Sequence, residues 1–108
     1  MNQELRQQFD RSMYELYGRI VRECSGYNPT IFFHMLETHG GLETAKRLLK
    51  DPNFFSYGFE RLCELGRHDL TMESLILSID YKAQLFSKDE LATAEQRIAA
   101  APQMYPDL

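Results

Sequence analysis

The stretch YNPTIFFHMLETHGGLETAKRLLK, residues 27–50, carries the pattern that decides the fold. Asn28 before Pro29 predicts the start of a helix, with asparagine as the N-cap and proline at the first helical position. Gly40 and Gly41 predict the end of that helix, because glycine readily adopts the left-handed conformation that follows a helix C-terminus. A second helix follows in LETAKRLLKD, with residues spaced for burial at Leu42, Ala45, Leu48 and Leu49. The stretch therefore predicts two helices joined by a tight glycine turn.

The first of these two helices is apolar nearly all round. Its apolar residues are Ile31, Phe32, Phe33, Met35 and Leu36. A helix on the surface of a globular protein has one apolar and one polar face. The pattern therefore leaves two interpretations open: the helix lies at the centre of the core, or half of its surface meets a partner.

The segments on either side also have helical periodicity. In residues 2–24, apolar residues recur at steps of three and four, at Leu5, Phe9, Met13, Leu16, Ile20 and Cys24. Asp51-Pro52-Asn53 predicts a break, and a helix over residues 57–65 is predicted to end at Gly66. A further helix buries Met72, Leu75, Ile76 and Ile79. Ser87 and Glu90 have the spacing of a capping box, which predicts the start of the last helix.

No segment competes with this helical pattern, because none alternates apolar and polar residues over a useful length and no hairpin motif occurs. The sequence predicts an all-α fold, a compact orthogonal bundle of five to six helices with a long N-terminal helix. The 108 residues suit one domain. Residues 1–24 form the first helix, 28–100 the helical core, and 101–108 a proline-containing tail that frays or lies along the surface.

The charge balance is acidic, with 12 Lys and Arg against 16 Asp and Glu. A formal net charge of -4 repels a phosphate backbone unless basic groups gather on one face. No window has the length of a membrane span, and the polar N-terminal residues lack the apolar core of a signal peptide. The composition therefore predicts a cytoplasmic protein that does not bind membranes.

The two cysteines, Cys24 and Cys63, are predicted to be reduced, buried thiols and not a disulfide. His34, His39 and His68 do not form a zinc-binding pattern with them, so no metal and no cofactor is expected. Cys63 as a nucleophile would need a base and an electropositive setting, whereas its place on an inner helical stripe predicts burial.

The turn between the helices at residues 64–69 has the residue types of a catalytic corner, namely Glu64, Arg67, His68 and Asp69. Each also has a structural use. Gly66 suits a helix C-cap, Arg67 and His68 can satisfy the last helical carbonyls, and Asp69 or Thr71 can cap the next helix. Because capping accounts for every residue type here, we predict a structural turn, no catalytic residue and no enzymatic activity.

Three runs together, YNPTIFFHMLETHGGLETAKRLL, GFERLCELGRHDLTMESLIL and LFSKDELATAEQRI, resemble a small all-helical domain of unknown function that recurs in bacterial proteins. The pattern is Tyr-x-Pro before an aromatic run, His-Gly-Gly-Leu-Glu-Thr-Ala-Lys, and Gly-Phe-x-x-Leu-x-Glu-x-Gly-Arg-x-Asp-Leu. The resemblance covers residues 24–98 and implies a cytoplasmic origin in bacteria or their phages. It brings no activity with it.

One functional hypothesis is a nucleic-acid-binding helix-turn-helix. Residues 34–50 combine a helix, a tight glycine turn and a second helix, on which Lys46, Arg47 and Lys50 could contact phosphates. Glu43 lies where a phosphate would approach, and the helix offers only Thr44 for contacts with base edges. The net charge also opposes this reading, which is therefore the alternative and not the main prediction.

The main hypothesis is a non-enzymatic protein–protein interaction module. The chain has seven Phe, six Tyr and five Met, residue types that are enriched in the cores of interfaces. The residues expected to contact a partner are Tyr14, Tyr17, Phe54, Phe55 and Tyr57. The partner is another protein or a second copy of the chain bound through the long first helix. An acidic inhibitor or regulator of a larger bacterial or phage complex fits this composition.

Overall fold

The part of the chain that the structure describes consists of helices and the turns between them. The computed structural model describes the backbone of residues 2–24 and 26–104, and the side chains of residues 3–24, 26–51 and 58–100. The helices in it are α1 (Asn2–Glu23), α2 (Thr30–Lys50), α3 (Pro52–Glu64), α4 (Met72–Ser78), α5 (Lys82–Leu85) and α6 (Lys88–Met104), with a 3-10 turn at His68–Leu70. No strand occurs in this part. The Cα radius of gyration, 13.2 Å, is that of a compact chain. The predicted all-α class and long first helix are confirmed.

Helix α1 supplies the centre of the core. Its predicted inward stripe is buried from Phe9 to Cys24 and partly buried at Leu5, and Phe9 and Met13 have no exposed surface at all. The ring of Phe9 packs edge-on against that of Phe86, with centroids 5.4 Å apart. One apolar cluster joins this stripe to residues from the other helices, including Leu36, Ala45, Ile76 and Ala94. The periodicity of α1 was therefore sufficient to predict which of its faces is buried.

Helix α2 is interrupted at Gly40, where the backbone is non-helical with φ 81° and ψ 172°. At this interruption α2 comes so close to α1 that the backbone N–H of Gly41 donates a hydrogen bond of 2.5 Å to Asp10 Oδ1. A Cβ atom on Gly41 would lie 2.9 Å from the Cα atom of Asp10. The predicted glycine turn is thus confirmed at Gly40, and Gly41 provides the close approach of the two helices.

The predicted cap at the start of α2 is wrong. The helix begins at Thr30, and no side chain caps its N-terminus. The Oδ1 atom of Asn28 accepts a hydrogen bond of 3.1 Å from the hydroxyl group of Tyr17, so this side chain fastens the α1–α2 connection to α1. A tertiary contact has taken the side chain that the local pattern assigned to the cap.

The break predicted at residues 51–53 is shorter than expected. Only Asp51 departs from helical geometry, and α3 begins at Pro52. Proline is well tolerated at the first position of a helix, so the same residue can follow one helix and start the next. The predicted start of this helix at residue 57 is therefore wrong: Phe54 and Phe55 also belong to α3, although their side chains and that of Tyr57 lie outside the described residues.

The C-terminal helices include one confirmed and one unpredicted feature. Ser87 and Glu90 form the predicted capping box, in which the Ser87 N–H donates to Glu90 Oε1 at 2.8 Å and the Glu90 N–H donates to Ser87 Oγ at 3.1 Å. The short helix α5 was not predicted. Helix α6 continues to Met104, beyond the predicted start of the tail, and residues 105–108 lie outside the described part.

A nearly buried ion pair joins α2, α4 and α6. Arg97 Nη1 donates to Glu73 Oε2 at 2.9 Å, with 10% and 5% of the two side chains exposed. The same guanidinium donates to the carbonyl oxygens of Leu48 and Leu49 at 3.2 Å and 3.0 Å, where α2 ends. Burial raises the pKa of the Glu73 carboxyl group, and the hydrogen bond from Arg97 opposes that rise. Arg97 therefore caps one helix while it neutralises a carboxylate of another.

The close approach of α1 and α2 makes opposite predictions for two helical glycines. Gly41→Ala is expected to lower the free energy of unfolding by about 1–3 kcal/mol, because the new Cβ would lie 2.7 Å from Asp10 Oδ1. Gly58→Ala is the matched control, since no atom lies within 4 Å of its Cβ position. This change should stabilise the protein by about 0.5–1 kcal/mol through helix propensity. Urea unfolding measures both, and equal effects would contradict the packing described.

Removing Arg97 is expected to be among the most destabilising changes in the described core. Arg97→Met leaves the Glu73 carboxylate buried without its cation and should cost about 3–5 kcal/mol in urea unfolding. The double variant Glu73→Leu/Arg97→Met should be more stable than the single variant, because no unpaired charge remains buried. Arg47→Met, which breaks the exposed pair with Glu43, is the control and should cost less than about 0.5 kcal/mol. A loss of unfolding free energy below about 1 kcal/mol for Arg97→Met would argue against the stabilising role of the Arg97–Glu73 pair.

Candidate partner-binding site

The turn after α3 is built by backbone hydrogen bonds around Gly66. The Gly66 N–H donates to the Cys63 carbonyl oxygen at 3.0 Å, and the Arg67 N–H donates to that of Leu62 at 2.9 Å. This pair of hydrogen bonds, together with φ 75° at Gly66, is a Schellman C-cap. The predicted glycine cap is present. The expectation that the Arg67 side chain would cap the carbonyls is wrong, because backbone N–H groups fill that role.

The Arg67 side chain instead links this turn to the end of α1. Its Nη2 atom lies 2.6 Å from Glu23 Oε1 and 2.9 Å from Asp69 Oδ2. Arg19 contributes a second contact to Glu23, at 3.0 Å. Hydrogen bonds from Arg19 and Arg67 lower the pKa of the Glu23 carboxyl group to about 2. The charged residues of the turn therefore form an alternating ion-pair network, and a structural role accounts for them.

The remaining polar residues of the turn start α4. The Ser74 N–H donates to Thr71 Oγ1 at 3.1 Å, so Thr71, and not Asp69, caps this helix. The Thr71 hydroxyl group donates in turn to the carbonyl oxygen of His68 at 2.9 Å. His68 Nε2 is buried and has no hydrogen-bond partner among the described residues. The two Thr71 hydrogen bonds support the structural interpretation of the turn.

Two of the five predicted contact residues, Tyr14 and Tyr17, lie where α1 meets the first half of α2. Tyr14 is 37% exposed, and its hydroxyl group donates to Glu37 Oε2 at 2.6 Å, which helps raise its pKa to about 12. The ring of Tyr17 is half-buried, 4.7 Å from that of Phe33. Both residues fasten α2 to α1 within the chain. Their role in partner binding stays a prediction, as does that of Phe54, Phe55 and Tyr57.

Two of the three basic residues proposed for nucleic-acid binding are paired within the chain. Lys46 Nζ lies 2.7 Å from Glu90 Oε1 and 5.1 Å from the centroid of the Phe86 ring. Arg47 Nε lies 3.1 Å from Glu43 Oε2. Lys50 is exposed at the end of α2. The second half of α2 is therefore anchored to α6 by its best-placed cation and does not present an array of free positive charge.

A partly open apolar cavity of about 90 Å³ lies between the start of α2 and the helices beneath it. Its walls include Leu16 and Ile20 from α1, Ile31 and Met35 from α2, and Phe59 and Leu62 from α3. Thr71, Met72 and Glu73 line it from the start of α4. Ile31 is 47% exposed. A cavity with this lining and an exposed aliphatic side chain at its edge is suited to apolar contact.

The volume of the cavity limits what it can hold. Pockets for small-molecule ligands usually measure about 300–1,000 Å³, and an apolar cavity of about 150 Å³ accommodates benzene. At about 90 Å³ this cavity has room for a smaller group, such as the end of one aliphatic side chain. The cavity is therefore more consistent with contact by a protein side chain than with a cofactor or drug-sized substrate.

The sequence contained one signal for this site, the nearly all-round apolar character of the helix within residues 30–39. Leu36 from this helix lies in the core, with 1% exposed, whereas Ile31 on another side lines the cavity. One face of this helix is therefore buried in the core, and contact of another face with a partner stays a prediction. The other walls come from segments far apart in the sequence, which no local motif connects.

Cys24 and Cys63 are free and buried, as predicted. No group of three or more His, Cys, Asp or Glu among the described residues could hold a metal ion. No helix there is long and apolar enough to cross a membrane.

Comparison of the chain with protein-family models, curated proteins and solved structures finds no match. The resemblance to a recurring bacterial domain stays a prediction. The geometry of the chain's own residues carries the functional interpretation.

Burial predicts that neither thiol is reactive in the folded protein. Desolvation raises the pKa of the Cys63 thiol to about 11, and nearby Glu73 adds to the rise. At pH 8 a disulfide reagent should therefore react slowly with the native protein and quickly with both thiols in urea, as followed by absorbance. Because the folded state keeps this proton longer, Cys63 should lower the free energy of unfolding as the pH rises from about 9 towards 11. Rapid labelling of native Cys63 would contradict its burial.

Proposed function

We propose that this chain is a non-enzymatic protein–protein interaction module that binds another protein around the apolar cavity. The observation that carries the proposal is the exposed Ile31 beside a cavity of side-chain size. Interfaces depend on a few well-packed apolar anchors, which insert into pockets of this kind. The expected complement is an aliphatic side chain at the centre of the partner's contact surface.

The size of the cavity sets its share of the binding energy. Complete burial of one aliphatic side chain contributes about 1.5–3 kcal/mol, whereas a micromolar complex needs about 8 kcal/mol. The cavity therefore serves as one anchor, and the surrounding surface must supply the rest. Tyr17, Phe54, Phe55 and Tyr57, which were predicted from the sequence, are the proposed additional contacts.

The ion pairs favour this proposal over its nucleic-acid alternative. Lys46 and Arg47 already pair with carboxylates of the chain, so phosphate contacts would have to replace existing interactions. A net charge of -4 favours a basic partner surface over a polyanion. A regulator or inhibitor of a larger bacterial complex remains part of the proposal. So does a cytoplasmic setting, in which free thiols such as Cys24 and Cys63 persist.

Site-specific photocrosslinking in cells that naturally contain the chain tests the proposal. A photoreactive benzoylphenylalanine is placed at Ile31 beside the cavity, and for control at Glu95, which is exposed on α6. Position 31 should yield a defined adduct with a different protein, identified by mass spectrometry, and position 95 should not. The change Ile31→Lys should then weaken binding of that purified partner at least about tenfold, because a charge would enter an apolar contact.

Two results would count against the proposal. One is the absence of any protein adduct at position 31 above the level at position 95. The other is a nuclease-sensitive adduct from the same probe at Arg47, which would favour the helix-turn-helix alternative. Salt separates the two readings as well, since a phosphate contact weakens steeply as the salt concentration rises.

A further inference from the structure

The outer face of α1 carries a polar stripe opposite its buried one. The stripe follows alternate steps of four and three residues along the helix, at Glu4, Gln8, Arg11, Glu15, Gly18 and Arg22. At 100° per residue these positions fall within about 80° of the helix circumference. Gly18 is half-buried and the other five are exposed. The spacing is that of contact positions in paired helices.

The four charges of this stripe have no ion-pair partner among the described contacts. None of the described salt bridges includes Glu4, Arg11, Glu15 or Arg22. Arg19 and Glu23, on the neighbouring side of the helix, are by contrast engaged with the turn after α3. The charges of the stripe are thus available to another molecule.

Counted outward from Met13 in both directions, the charges of the stripe have opposite signs at equal distances. Glu4 and Arg22 lie nine residues to either side of it, Gln8 and Gly18 five, and Arg11 and Glu15 two. Around a two-fold axis at this level, antiparallel copies of α1 would place every stripe residue opposite its counterpart. Each acid would face a base, and each Gln8 would face a Gly18. A parallel, in-register pair would set like charges against each other at all four positions.

We propose that the partner surface for this face is a second copy of the chain, bound with α1 antiparallel to α1. The proposal rests on the proposed function, since it names one protein partner for an interaction module. At the axis, Arg11 and Glu15 of both copies form a cluster of four charges with alternating sign. Glu4 of each copy pairs with Arg22 of the other copy. The Glu4 and Arg22 of one helix are themselves about 27 Å apart.

The surface around the axis is shaped for such contact. A shallow depression lined by Gln7, Asp10, Arg11, Tyr14 and Glu15 spans residues 7–15 beside the stripe. Tyr14 and Val21, two of the three exposed large apolar side chains described, border the stripe on one side. They supply apolar area, whereas exposed ion pairs contribute only about 0–1 kcal/mol each. The charges therefore set the direction of pairing, and the dimer is expected to weaken as salt is added.

Sedimentation equilibrium of the full chain at low and high salt tests the proposal by charge reversal. Arg11→Glu sets like charges against each other at two central contacts and should raise the dissociation constant at least about tenfold at low salt. The double variant Arg11→Glu/Glu15→Arg restores the complementary order and should dimerise within about threefold of the wild type. Lys88→Glu carries the same net charge as Arg11→Glu, lies away from the stripe on α6, and should change little.

The double variant, in which the two central charges are exchanged, decides the outcome. Recovery in the double variant, with loss of dimer in high salt, would establish the antiparallel contact. A wild type that stays monomeric up to millimolar concentration would overturn the proposal, as would a double variant that dimerises no better than the single one. Circular dichroism checks that each variant remains helical. Because the photocrosslink at Ile31 does not use the outer face of α1, failure of the dimer leaves the result at the cavity unaffected.

Discussion

The hydrogen bond from the Gly41 N–H to the Asp10 carboxylate fixes the point from which the rest of the fold is arranged. It holds α2 against α1 at a separation that only a residue without a side chain allows. The adjacent Gly40 breaks the helix with a positive φ, so the two halves of α2 leave this point in different directions. The first half runs along α1, and the second half reaches α6. The two glycines thus have different roles: Gly40 changes the direction of the chain, and Gly41 permits close contact between α1 and α2.

The second half of α2 is secured at its far end by Arg97. The last carbonyls of a helix lack partners within it, and a cation near them is favourable. Arg97 donates hydrogen bonds to these carbonyls and places a positive charge near them. Glu73 compensates that charge in a nearly buried position. Glu73 also lines the apolar cavity. The ion pair that secures the end of α2 therefore contributes one residue to the wall of the candidate site. The position of that wall therefore depends on the same ion pair that holds α2, α4 and α6 together.

The features that were predicted correctly are those set by neighbouring residues. The buried stripe of α1 follows from its spacing, and the capping box at Ser87 and Glu90 follows from two residue types three positions apart. The incorrect predictions have tertiary causes. Asn28 has the chemistry of a cap but is held by Tyr17, and Pro52 can break a helix or start one.

The outer face of α1 shows how charges that look alike in the sequence acquire different roles. Arg19 and Arg22 are both exposed basic residues one turn apart, and periodicity alone gives no reason to separate them. The structure does, because Arg19 points to a network that ties the end of α1 to the turn after α3, whereas Arg22 belongs to a stripe with no described internal ion pair. Charges used within the fold constrain that fold. The remaining charges, in an order complementary to its own reverse, are those that the proposed antiparallel pair would use.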